Sequence, residues 1–191
     1  KELSNRWLDN AEIARQYAMG LFNLSARQEG AAAIKTTVDE LKELSNRWLD
    51  NAEIARQYAQ SLVNYATEQE ESSDCRHVIG ELKKLSEQWP EIPKIGVAYA
   101  MGLFNLFNKQ EETTARQTAD ELKSFCSKRH EMLGFTLQLA NIHAADIKKE
   151  NKPDDNLEYT KLMQLIQSLE MLADTLPIPN TKIYLTRKDD D

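Results

Sequence analysis

Between the PEIP and NKQ segments, Ile92, Ile95, Tyr99, Ala100, Leu103, Leu106 and Phe107 fall at helical spacing. Beyond EETT, Ala115, Thr118, Ala119, Leu122, Phe125 and Cys126 repeat the same period. Steps of three and four residues place each set along one side of a helix, so the pattern predicts two amphipathic helices, A and B. Four to five residues separate them, a link short enough to require an antiparallel hairpin.

The pattern recurs. Lys1–Ala18 and Lys42–Ala59 are identical, and 83–122 aligns with both, bringing Trp7, Trp48 and Trp89 into register at a spacing of 41. Tyr17, Tyr58 and Tyr99 keep the same spacing, each followed by alanine. A diverged fourth copy starts at Lys123, with an insertion near KKENKPDDN (148–156), and a partial fifth follows TLPIP (175–179). The repeats therefore run about 1–41, 42–82, 83–122, 123–169 and 170–191, read as one helical-repeat domain. One hairpin cannot cover its own apolar stripe, and stacking neighbours does so. The duplicated stretch is then one structural module, the end of helix B and the start of helix A, with the tryptophan as an inter-repeat spacer. The expected fold class is all-α, an α-solenoid of antiparallel helix pairs.

Composition sharpens this picture. The 191 residues are 41% hydrophobic and 29% charged, in keeping with helices that leave much of their surface in water. No run approaches eighteen apolar residues, which argues against a membrane span. The net charge is −7, with 4 basic and 8 acidic side chains in 42–82 alone, and no basic stripe is present. Nucleic acid and anionic membrane surfaces are poor partners for such a chain. Cys75 and Cys126 are far apart and read as packing thiols of a cytoplasmic protein. The chain starts inside a repeat without methionine, the expectation for a fragment of a longer protein.

The run LSEQWPEIPKIGVAYAMGL resembles the boundary between two tetratricopeptide repeats: a helix end, a proline, a turn, then a helix with an aromatic-small pair. Pro90 and Pro177 match the family's inter-repeat proline, with Leu8, Leu49 and His130 in that place elsewhere. Tyr17, Tyr58, Tyr99 and Leu139 match its large helix-A residue, and Ala18, Ala59, Ala100 and Ala140 the small one after it. The units are longer than the family's, at 40–41 residues, and the small helix-B position holds Thr37, Val78 and Thr118. A HEAT-type or other α-solenoid is the alternative.

Catalytic patterns are wanting. His77, His130 and His143 are scattered without metal-ligand spacing, and neither cysteine has a base partner in view, so no enzyme, cofactor or metal is expected. His143 reads as a core residue of the fourth A helix. The informative positions form a second line on helix A. In the third repeat it is Val97, Met101 and Phe104; in the first, Arg15, Met19 and Phe22; in the second, Arg56, Gln60 and Val63. The resemblance implies that this line faces a concave groove, where methionine and phenylalanine suit recognition. Beside it stand Asn23, Asn64 and Asn105, one per repeat, each able to bond both groups of an extended peptide unit or to hold the turn of its own repeat.

The sequence thus reads as a non-enzymatic adaptor that binds a protein or peptide partner. The apolar line supplies affinity, the asparagines hold the partner's backbone, and Arg15 and Arg56 favour an acidic group. A ligand-sensing regulatory domain and a self-associating scaffold are the alternatives.

Overall fold

The computed structural model describes residues 10–150 and 157–176, which form eight helices and no strand. They are α1 (Ala11–Ser25), α2 (Ala31–Arg47), α3 (Ala52–Glu68), α4 (Ser72–Gln88), α5 (Pro93–Lys109), α6 (Glu112–Lys128), α7 (His130–Glu150) and α8 (Leu157–Thr175). Odd-numbered helices are the A helices and even-numbered ones the B helices. The repeated stretch folds as the sequence implies, supplying the last turns of α2 and the start of α3.

Local chemistry sets the helix ends. Asn10 caps α1, its side-chain oxygen accepting from the N–H groups of Glu12 (2.9 Å) and Ile13 (3.3 Å). Asn51 does the same for α3 from Ile54 N–H (3.3 Å), while Pro93 opens α5, where its missing N–H costs nothing. Trp48 and Trp89 end α2 and α4 and are half-buried, consistent with an inter-repeat role. The carbonyl of each accepts from the last residue before the next A helix, Asn51 (3.0 Å) or Ile92 (3.2 Å). The A–B links are residues 26–30, 69–71 and 110–111, mostly shorter than expected because helix continues into the flanking polar residues.

The chain divides into two compact units, Lys1–Leu122 and Lys123–Asp191. In the first, α1 packs on α2 and α3 on α4; α3 also packs on α2 and α5 on α4; and the A helices lie side by side, α1 on α3 and α3 on α5. Each hairpin therefore meets its sequence neighbour, the packing that a stacked repeat requires. In the second unit α7 packs on α8.

Most of the expected core is buried, while Ile92, Ala119 and Phe125, at the edges of the two stripes, are half-buried. Ile95, Tyr99, Ala100, Leu103, Leu106, Phe107, Ala115, Thr118, Leu122 and Cys126 are all buried. Each large aliphatic or aromatic side chain among them contributes roughly 1.5–3 kcal/mol by leaving water. At Gly102 α4 comes close to α5: a β-carbon there would lie 2.6 Å from Ile79 Cδ1 and 2.8 Å from Leu82 Cδ1 of α4. Trp7, most of the 148–156 insertion and residues 177–191 of the partial fifth repeat, Pro177 among them, lie outside the described residues.

Candidate functional site

All twelve positions on the helix-A line and the asparagine series fall in the first unit, on the adjacent helices α1, α3 and α5. Their environments differ. Val63 and Phe104 are buried, and Phe104 stacks on Phe107 with ring centroids 6.4 Å apart. These two serve packing within the fold. Phe22, Val97, Met101 and Gln60 are half-buried, and Met19 is 43% exposed. The accessible apolar part of the line is thus Met19, Phe22, Val97 and Met101.

The two arginines are already engaged. Arg15 pairs with Glu12 one turn earlier, and Arg56 pairs with Glu53 and donates to Gln60 Oε1 (3.1 Å). Hydrogen bonding from Arg56 holds the Glu53 carboxyl below the usual carboxylate range against the opposing effect of burial. An incoming acidic group would have to displace these glutamates.

The asparagines do something neither sequence reading foresaw. Asn64 Nδ2 donates to Ser25 Oγ (3.2 Å), and Asn105 Nδ2 donates to Thr67 Oγ1 (3.0 Å). Each bond runs from one A helix to the A helix of the preceding repeat. Ser25 Oγ also donates to Ser61 Oγ (3.0 Å), with both hydroxyls buried. Each amide spends one N–H on this cross-link and keeps its other N–H and its carbonyl for further partners. Asn23 is exposed, and so is Ala145 at the corresponding place in the fourth repeat.

Three further series escaped the sequence reading. Tyr17, Tyr58 and Tyr99 each donate from the hydroxyl to a helix-B glutamate of their own repeat: Glu40, Glu81 (3.4 Å) and Glu121 (2.7 Å). Lysines of the preceding B helix join them, Lys42 on Glu81 (3.0 Å) and Lys83 on Glu121 (3.7 Å), and Arg76 reaches Glu121 at 2.7 Å. Burial and the facing glutamate push the Tyr17 phenol up to about 12 and the other two higher still. Burial pushes Glu121 up, but hydrogen bonds from Tyr99 and Arg76 outweigh it and leave the carboxyl below its ordinary value. Glutamates spaced 41 and 40 residues apart, each 22–23 residues after a repeat tyrosine, were the available signal.

Gln28, Gln69 and Gln110 also keep the 41-residue step. Gln28 and Gln110 accept from the buried hydroxyls of Thr37 (2.8 Å) and Thr118 (2.6 Å). Where Val78 replaces threonine, Gln69 turns to the carbonyl of Tyr65 (3.4 Å). Lastly, position 109 reaches back one repeat: Lys109 Nζ donates to the carbonyls of Ala66 (3.1 Å), Thr67 (2.7 Å) and Gln69 (2.5 Å) at the end of α3. Its counterpart Glu68 instead accepts from Gly30 N–H (3.2 Å), so one register serves opposite polarities.

A recess of about 150 Å³ between α2, α3 and α4 is lined by Lys42, Leu49, Tyr58, Glu81, Lys84 and Gln88 among others. Its charged groups converge on one another, since Lys42, Lys84 and Tyr58 all bond Glu81. Among the described residues no group of three or more His, Cys, Asp or Glu is placed to hold a metal ion. Cys75 and Cys126 are free and buried, as packing thiols would be, and burial pushes both up. His143 corrects the sequence reading: it is half-buried rather than core, with Nε2 3.5 Å from the Glu158 carboxylate, because α8 brings an acidic first turn beside it. No described helix is long and apolar enough to cross a membrane.

Comparison with family models, with curated proteins and with solved structures found no match to this chain.

Proposed function

We infer that the chain is a non-enzymatic interaction module, an α-solenoid of the tetratricopeptide-like kind, whose helix-A face binds a peptide segment of a partner protein. One observation carries this reading: Met19 and Phe22 on α1, and Val97 and Met101 on α5, stay at least partly accessible on the A helices that flank α3, while the same line buries Val63 and Phe104. Adaptable apolar side chains left in water on one face are what a peptide-binding surface offers. Apolar anchors of the peptide sit on these four residues. The unused N–H and carbonyl of Asn64 and Asn105 are suited to the peptide backbone. Arg15 and Arg56 contribute less than free guanidinium groups would, because each is paired with a glutamate of its own helix. The acidic surface and the lack of a basic stripe speak for a protein partner over nucleic acid.

Peptide-display selection against the chain, beside a Met19→Lys/Met101→Lys variant, tests the reading. Enriched peptides that bind the wild type at least ten-fold better are the expected result. Peptides that bind both equally, with helicity unchanged, would place recognition elsewhere.

A further inference from the structure

The recess between α2, α3 and α4 carries an inference of its own, and no residue of the helix-A line borders it. It lies where α2 and α4 pack on the A helices rather than closely on each other. Lys42 reaches across from α2 to Glu81 of α4 at 3.0 Å, and Lys84 and Tyr58 meet the same carboxylate at 3.3 Å and 3.4 Å. Burial pushes the Glu81 carboxyl up, but hydrogen bonds from Lys42 and Lys84 outweigh it and leave it below its ordinary value. Two ammonium groups thus face one carboxylate, and the recess is positive by one charge in a chain of net charge −7. Glu81 already takes three donors and has little left for a cation. Each ammonium keeps N–H groups to give.

The rest of the lining suits the other end of a small anion. The Ser45 hydroxyl and the Asn46 and Gln88 amides border the space, and none of them bonds another described residue. Leu49 and Leu85 supply apolar surface, the first 60% exposed and the second buried. A volume of about 150 Å³ is that of a cavity able to hold a benzene ring, so about six non-hydrogen atoms fit. We propose that this recess binds a small carboxylic acid with a short apolar chain. The carboxylate sits on Lys42 and Lys84, the chain lies on Leu49 and Leu85, and a hydroxyl on that chain bonds Ser45, Asn46 or Gln88. The combination is particular to this boundary. One repeat later the places of Asn46 and Leu49 hold Glu87 and Pro90, which adds an acid and removes the leucine side chain.

The test titrates butyrate and β-hydroxybutyrate into the full chain at constant ionic strength and follows backbone amide shifts by two-dimensional NMR. Saturable shifts are expected at residues 42–49 and 81–88 and at Tyr58. Lys42→Met/Lys84→Met should weaken binding at least ten-fold. Asn46→Glu, which copies the next repeat at an exposed position, should do the same with helicity unchanged by circular dichroism. Butylamine, of similar size and opposite charge, should cause no saturable shift. Absence of saturable shifts with both acids, equal binding by Asn46→Glu, or the same shifts from sodium chloride alone overturns the proposal. An acetylated and amidated Ala-Glu-Ala peptide that bound as tightly as butyrate would overturn the assignment to a free acid and give the recess to a carboxylate side chain of a partner. None of these outcomes depends on the Met19 and Met101 face.

Discussion

Gly20 and Gly102 occupy one register of the repeat, and the same substitution at the two should act with opposite sign. Replacing glycine by alanine in a helix interior removes backbone entropy from the unfolded chain and gains about 1 kcal/mol. At Gly20 nothing lies within 4 Å of the new β-carbon, so that gain stands alone. At Gly102 the β-carbon would sit 2.6 Å from Ile79 Cδ1 and 2.8 Å from Leu82 Cδ1. Both side chains are 1% exposed or less, so neither has open space to swing into. Overpacking a filled core costs typically about 1–3 kcal/mol, which cancels or exceeds the helix gain. Gly20→Ala should therefore stabilise the first unit by about 1 kcal/mol, and Gly102→Ala should leave it unchanged or weaken it by up to about 2 kcal/mol. Urea unfolding followed by circular dichroism reads the difference directly, as midpoints that separate in opposite directions with similar slopes. If Gly102→Ala proves as stable as Gly20→Ala, α4 does not press on α5 as closely as described.

The asparagine cross-links give a graded expectation. Asn64→Ala and Asn105→Ala should each cost about 1 kcal/mol, while Asn23→Ala should stay within about 0.5 kcal/mol. Equal costs at all three, measured by urea midpoints, would show that the inter-repeat bonds do not matter. Lys109→Met keeps most of the aliphatic stem but leaves three carbonyls at the end of α3 without their ammonium; faster amide exchange confined to residues 66–72 is expected, and no change there would dismiss the cap. pH dependence follows from the tyrosine–glutamate series. Glu121 has its folded pKa depressed, so its stabilisation is present above 4.5 and is lost as pH falls below that value. Arg76→Gln should flatten this acid limb of the stability profile. The tyrosines have folded pKa values raised from 10, to about 12 at Tyr17, so their contribution is full below pH 10 and fades as pH rises through that window. A Tyr17→Phe/Tyr58→Phe variant should lose less stability between pH 10 and 12 than the wild type, and an identical alkaline limb would remove the phenols from the account.

The accuracy of the core reading and the surprises at the candidate site have one cause. Ile95, Leu103, Phe107 and Leu122 could be read as core because a buried stripe leaves a period in the chain whatever it packs against. Asn64 leaves no such trace of its partner. Ser25 lies thirty-nine residues away on another helix, and nothing local tells an asparagine that bonds its own turn from one that spans two helices. Val63 and Phe104 carry the same difficulty: apolar residues off the main stripe look alike whether a neighbouring helix covers them or water does. His143 was misplaced because its stripe position was visible while the Glu158 beside it, fifteen residues on, was not.

Sequence alone determined the all-α class, the 41-residue module, the pairing of helices into hairpins and the identity of the core, because each rests on local periodicity, short links and repetition. Only the tertiary structure decided which side chains join one repeat to the next. The Asn64 and Asn105 bonds, the lysines on Glu81 and Glu121, the Lys109 cap and the contact over Gly102 all depend on the rotation and spacing of neighbouring helices. Those quantities are set by how packed side chains interlock across some forty residues of chain, which no window of the sequence contains.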